Sequence, residues 1–317
     1  MRILLTGGTG FIGSAVARGV DSWTDHELIL AGRRAGAVIL GVRYIEIGDI
    51  GAITDWAPAL QQVDVVIHCA ARVHVLAESE RDPLAAFRVV NVTGTLRLAR
   101  QAAEQGVRRF VFLSSVKVHG ETSAPGRPFR VGDSYAPADA YAISKMEAEQ
   151  ALLALAEETS MEVVIIRPPL VYGPGVGANF RSMMDWLSRG VPLPLGAVHN
   201  RRSLLALDNL VDLVLLCVEH PAAAGRVLLA SDDEDLSTPE LLRRLGRAMG
   251  RSARLLPIPP RCLELGATLL GRPALSQRLC GFLQVDISET RELLGWTPPL
   301  TVEEALRRTA EAYQAAQ

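Results

Sequence analysis

"TGGTGFIG", Thr6 to Gly13, decides how the rest of this 317-residue chain is read. It follows the apolar run "RILLT" and precedes a stretch with helical spacing, so its glycines stand between a predicted strand and a predicted helix. Gly7 permits a tight turn, Gly10 lets the backbone approach a pyrophosphate, and Gly13 lets helix and strand pack closely. The free N–H groups at the helix start then face phosphate oxygens. A bare glycine pattern is a weak signal, and the strand before it and helix after it are what make it a dinucleotide site.

Working outward, short β-type runs alternate with helical patterns: "ELILAG", "VDVVIHCA", the long helix "AFRVVNVTGTLRLARQAAEQG", "RFVFLSS", a helix carrying "DAYAISK", and "EVVIIRP". Strands that are apolar throughout, separated by helices, predict a parallel sheet covered on both faces, a doubly wound α/β fold of the Rossmann type. Beyond "RPPLVYGPG" the pattern loosens into a Pro/Gly-rich passage, a helix near 208–220 and a last helix from about Thr301. The expected division is a dinucleotide-binding part, residues 1–172 with about 200–230, and a smaller substrate-binding subdomain, about 173–199 and 231–317.

The end of the second strand bears on which dinucleotide binds. An NAD site carries an acid there for the ribose 2′-hydroxyl, but this chain reads "AGRR", with Gly32 in that place and Arg33 and Arg34 following. Arginines suit a 2′-phosphate. NADP(H) is therefore the preferred cofactor, with NAD(H) as the alternative. Asp49 and Ile50, after the third strand, suit adenine recognition.

With 49% hydrophobic and 21% charged residues the chain can bury a large core, and a formal charge of −2 gives no general attraction to nucleic acid or anionic lipid. Cys69, Cys217, Cys262 and Cys280 lie far apart with no metal-ligand spacing, so no metal site is expected. Structural thiols in a reducing cytoplasm are the reading. The opening "MRILLTGGTG" reads as a first strand rather than a signal peptide, and no apolar stretch approaches the roughly 18 residues of a membrane span.

In "YAISK", Tyr141 and Lys145 are four positions apart, on one helix face about one turn from each other. That spacing alone recurs easily. Joined to the glycine loop and to "LSSVKVHG" at 113–120, it resembles the Ser and Tyr-x-x-x-Lys of the extended short-chain dehydrogenase/reductase family. The likeness continues through "HCAA", "NVTGT", "RPPLVYGPG" and "RRSLLALDNLVD" and covers almost the whole chain. Within the family it most resembles the nucleotide-sugar epimerases, dehydratases and 4-keto reductases, in particular bacterial UDP-hexose 4-epimerase-like proteins that include the UDP-N-acetylquinovosamine-forming 4-reductases of surface-polysaccharide synthesis.

The resemblance implies that Tyr141 is the general acid/base, that Lys145 supplies a charge lowering its pKa, and that Ser115 bonds the substrate oxygen. It implies cofactor contacts at Gly7, Thr9, Gly10, Phe11, Ile12, Ala70, Ala71, Asn91 and Pro168, in addition to Tyr141 and Lys145. Substrate contacts are expected at Ser115, Lys117, Asn179, Arg201 and Arg278, Arg201 being the pyrophosphate contact. A UDP-sugar partner and a homodimer are family expectations. Val116 and Lys117 stand where the dehydratases carry an Asp-Glu pair, which disfavours a dehydratase. His119 replaces a usual tyrosine and is left open between a substrate contact and a loop histidine bonded to backbone. The reaction expected first is reduction of a UDP-4-keto-6-deoxy-N-acetylhexosamine at C4, with a UDP-hexose 4-epimerase as the alternative. A reductase of non-sugar ketones and a non-catalytic dinucleotide sensor stand behind these.

Overall fold

The computed structural model describes residues 1–33, 41–73, 82–269, 277 and 279–317. Its strands are β1 (Arg2–Thr6), β2 (Glu27–Gly32), β3 (Arg43–Glu46), β4 (Val65–His68), β5 (Arg109–Leu113), β6 (Glu162–Arg167), β7 (Leu170–Tyr172), β8 (Leu204–Ala206) and β9 (Val227–Leu229). Seven of them form one sheet in the order β3-β2-β1-β4-β5-β6-β9, and every pairing is parallel. The expected doubly wound fold is present. The order reverses between β1 and β4, and in such sheets ligands bind outside the strand ends at that point. Strands β7 and β8 form a separate parallel pair.

Alternation explains why the strands are apolar throughout. Ile3 and Leu5 of β1 enter one core cluster, with Val16, Val111, Val164 and Val214, while Leu4 enters the other, with Trp56, Phe110, Leu152 and Ile165. Successive side chains point to opposite faces, and both faces are covered. Helices α1 (Phe11–Trp23) and α7 (Leu207–Glu219) cover the first face. On the second face lie α2 (Ala57–Leu60), α4 (Thr95–Glu104) and α5 (Ala140–Glu158).

The long helix expected over "AFRVVNVTGTLRLARQAAEQG" is divided. It comprises α3 (Pro83–Arg88), a π-helical segment (Val89–Gly94) and α4. The wide turn carries Asn91, whose amide grips a neighbouring loop and α5, and π segments of this kind mark sites where a helical residue has a partner off the helix.

A third core cluster gathers Tyr172, Phe180, Met184, Leu242, Leu306 and Tyr313. It joins α6 (Ala178–Ser188), α8 (Thr238–Ala248) and α11 (Val302–Ala315). Residues of the late chain do not all belong to it: Leu283, Val285, Ile287, Leu294 and Trp296 pack into the first cluster beside the sheet. The segment around Leu283 is threaded between the two parts, bridging to Phe129 through Val285 and to Arg202 through Leu283. Two short helices, α9 (Pro260–Leu269) and α10 (Ser288–Leu294), complete this region.

Candidate active site

The glycine loop has the geometry its sequence predicts. Gly7 has φ of 75°, in the left-handed region, and a Cβ there would lie 2.6 Å from the Ala70 backbone nitrogen. A Cβ on Gly13 would overlap the Gly7 carbonyl oxygen. Helix α1 begins after Gly10 with no side chain capping it and no acid in its first turn. The residues present therefore fit a dinucleotide: the cradle has no side chain to fill it, and the first N–H groups of α1 meet an anion with nothing in competition. Thr9, Phe11 and Ile12 lie along this loop and first turn, and Ala70 and Ala71 follow β4 across from it.

Beneath the loop, Thr6 Oγ1 bonds His68 Nδ1 at 2.6 Å, and His68 Nε2 bonds Thr95 Oγ1 at 2.9 Å. Burial, then the charge of Lys145, pushes the His68 pKa down to about 3, so this imidazole is a neutral strut. Asn91 accepts from the Arg72 N–H at 2.7 Å and donates to the Arg72 carbonyl at 3.0 Å and to Ser144 Oγ at 2.9 Å. It pins the loop after β4 onto α5.

At the end of β2, a Cβ on Gly32 would lie 2.5 Å from the Tyr44 hydroxyl oxygen. This position is closed to an acid while that hydroxyl stays in place. Arg33 is exposed beside it, and Arg34 lies outside the described residues. Asp49 is exposed and its carbonyl accepts from Thr54 Oγ1 at 2.8 Å, whereas Ile50 packs against Gly94 so closely that a Cβ there would overlap it.

Asp139 caps α5 by accepting from the Ala142 N–H at 2.7 Å, which starts the helix where Tyr141 and Lys145 share one face. Tyr141 hydrogen-bonds Ser115, its ring meeting Phe87 edge-on at 6.3 Å between centroids. Ser115 caps the short 3-10 helix Val116–His119. The N–H groups of its neighbours fix it: Ser114 donates to Ile166 at 2.8 Å and Val116 to the buried Pro168 at 3.0 Å. The structure thus brings Ser115, Tyr141, Lys145 and Pro168 to one end of β5 and β6.

Lys145 Nζ donates to the Leu113 carbonyl at 2.8 Å and sits 4.4 Å from the centre of the Phe112 ring. In the chain alone the Tyr141 phenol is pushed up, first by burial and then by the Asp139 carboxylate, with the Ser115 hydrogen bond opposing. Burial likewise pushes Lys145 down to about 8, against the pull of Cys69 and Glu149. The chain alone thus keeps the phenol protonated.

The substrate residues are more scattered. Lys117 is held in ion pairs with Glu121 and Asp139, each at 2.6 Å, so it braces the α5 cap instead of projecting a free charge. Asn179 is exposed in the first turn of α6, and Arg201 is exposed where its carbonyl accepts from the Leu283 N–H at 3.0 Å. Arg278 lies outside the described residues. His119 is buried, its Nε2 bonding an Arg167 nitrogen at 2.8 Å and its ring stacking on Phe129 and Tyr135. Burial and the Arg167 charge lower its pKa, so the imidazole stays neutral.

Sequence reasoning missed the group behind the serine. Glu149, fully buried, takes Arg167 in a two-pronged ion pair at 2.6–3.1 Å, accepts from Tyr135 at 3.0 Å, and accepts from Ser114 Oγ. It lies four residues after Lys145 on α5. An acid there, and an arginine closing the apolar run "EVVIIR", were the available signals.

Residues 3–229 match the NAD dependent epimerase/dehydratase family. The chain belongs to that family. The likeness to the extended short-chain dehydrogenase/reductases, and an enzyme that depends on a nicotinamide cofactor, are borne out with it. A UDP-glucose 4-epimerase of Vibrio cholerae is 48% identical over 98% of this chain and 95% of its own length. A 2-alkyl-3-oxoalkanoate reductase of Stenotrophomonas maltophilia is 27% identical over 97% and 98% of the two chains. Among solved structures, a UDP-glucuronic acid 4-epimerase from Bacillus cereus in complex with NAD superposes with a TM-score of 0.80 at 20% identity, covering 100% of this chain and 99% of that one. A UDP-glucose 4-epimerase from Thermotoga maritima with UDP-glucose gives 0.79 at 23% identity over 100% and 99%. These structures share the fold. Among the described residues no helix is long and apolar enough to cross a membrane, and no His/Cys/Asp/Glu group could hold a metal ion.

Proposed function

We propose that the protein is a UDP-hexose 4-epimerase that keeps its nicotinamide cofactor through the cycle. The 48% identity to the Vibrio cholerae UDP-glucose 4-epimerase, over nearly the full length of both chains, carries this reading. It reverses the order expected from sequence, in which a 4-keto reductase came first.

When bound, the cofactor would supply a hydride acceptor for C4 of the sugar, a hydride donor to the opposite face once the ketone has turned over, and, in its oxidised form, a positive charge. Tyr141 Oη then carries the proton of the C4 hydroxyl, releasing it to the sugar when the ketone is reduced again. Because burial holds this phenol protonated, its proton is released only as positive charge enters the pocket. Ser115 fixes the sugar oxygen beside Tyr141, and Lys145, anchored on Leu113, holds the ribose side. The glycine loop with Gly7, Gly10 and Gly13 holds the pyrophosphate. Arg201, Asn179 and Arg278 are assigned to the UDP end, Asn179 and Arg278 from the subdomain of about residues 173–199 and 231–317 and Arg201 from the dinucleotide-binding part beside it. A cytoplasmic homodimer completes the reading.

Gly32 and the exposed Arg33 support NADP(H) preference, and through it a second reading as a 4-reductase. Incubation with UDP-glucose should yield UDP-galactose with no net change in cofactor absorbance. Stoichiometric NADPH oxidation with a UDP-4-keto-6-deoxy-N-acetylhexosamine, without epimer interconversion, would establish the reductase instead.

A further inference from the structure

A surface cavity of about 560 Å³ lies at the far end of α8, lined by Arg243, Arg244, Arg247 and Arg251, with Glu240 and Glu303 at its walls. Arg244 is neutralised by ion pairs to Glu234 and Glu240, both at 2.6 Å. Among the described residues, the guanidinium groups of Arg243, Arg247 and Arg251 have no acidic partner and no hydrogen bond, and all three side chains are exposed. Neighbouring arginines of the same lobe behave otherwise: Arg307 pairs with Glu304 and Glu311, and Arg308 with Asp208 and Glu304.

The convergence is built into the backbone. Arg243 and Arg247 are one turn apart on a helix whose other face is buried through Leu241, Leu242 and Leu245. The chain then reverses at Gly250, with φ of +65°, and the Arg251 N–H bonds the Gly246 carbonyl at 2.8 Å. A Cβ on Gly246 would lie 2.9 Å from the Arg251 carbonyl oxygen, so this close return depends on glycine. Like charges one turn apart repel. The helix dipole favours a cation in the last turn, which accounts for Arg247 but not for Arg243 a turn earlier. A bound anion relieves all three.

We propose that this cavity is a second anion site, apart from the dinucleotide and sugar sites, that takes a small multiply charged phosphate compound. Arginine forks match phosphate oxygens two at a time, and the volume falls within the range of small-ligand pockets. Since the chain carries a formal charge of −2, the attraction is local to this end of α8.

The test is calorimetric titration of the full chain, already saturated with cofactor and UDP, with inorganic pyrophosphate. Binding of one equivalent is expected, weakened by added salt and by about tenfold or more in the R247Q/R251Q double variant. Circular dichroism and epimerase turnover of that variant should match the parent, which separates loss of the site from loss of fold. Titration with ribose 5-phosphate in parallel tells a phosphate ester from a free diphosphate as the source of the anion. No heat with either probe in the parent, or equal affinity in parent and double variant, overturns the proposal.

Discussion

Tyr141 illustrates how little a side chain's identity says without its surroundings. Its phenol is buried, near a carboxylate, and bonded to Ser115, so it remains a proton donor until a cation is brought in. Tyr141→Phe keeps the ring against Phe87 and removes the hydroxyl, and should lower kcat by about 10²–10⁴ while leaving dinucleotide affinity intact. Turnover under saturating UDP-sugar, with cofactor content measured on the same sample, checks both halves. Asp232 offers a pH test of stability. Burial pushes its pKa from 3.8 up to about 6, against hydrogen bonds from Ala206, Asn209 and Tyr172. The folded state thus favours the protonated form. That contribution is fully present below 3.8 and is lost as pH rises through about 6. Asp232→Asn keeps the acceptor used by Ala206 and Asn209 and can donate to Tyr172 in place of accepting. Urea midpoints of the variant should lack the decline that the parent shows across that window, and an identical decline in both would assign it to other groups.

At the scale of elements, Glu149 joins three of them: α5, which carries Tyr141 and Lys145; the end of β5 through Ser114; and the end of β6 through Arg167. Glu149→Gln leaves the Arg167 charge buried with no carboxylate, and should cost about 3–5 kcal/mol in urea denaturation. The Glu149→Met/Arg167→Met pair should be less destabilised than that single variant, because no charge is left uncompensated. A double variant no better than Glu149→Gln removes the ion pair as the cause. This network, the neutral His68 strut and the Lys117–Asp139 pair were not legible in the sequence. Each joins residues far apart in the chain, and nothing local in "EVVIIR" names a partner on α5. The glycine loop and Tyr141 with Lys145 were legible because turn, helix start and one-turn spacing are local properties.

For the whole molecule, the sheet was readable from apolar strands alternating with helices. The course of the late chain was not. Leu283, Val285, Ile287, Leu294 and Trp296 return to the core beside the sheet, and the Trp296 indole donates to Asp212 on α7 at 2.8 Å. No periodicity in a strand-poor stretch signals such a return, since the partners lie far back in the chain, as Asp212 does for Trp296 and Leu229 for Thr290. The contact between Gly32 and Tyr44 reaches furthest. Placing aspartate at 32 first would drive its Cβ against an oxygen 2.5 Å away, whereas Tyr44→Phe leaves a ring carbon at 3.5 Å, an ordinary contact. An acid at position 32 thus requires the Tyr44 side chain to give way, so the two positions are coupled and Tyr44→Phe removes the atom in closest contact.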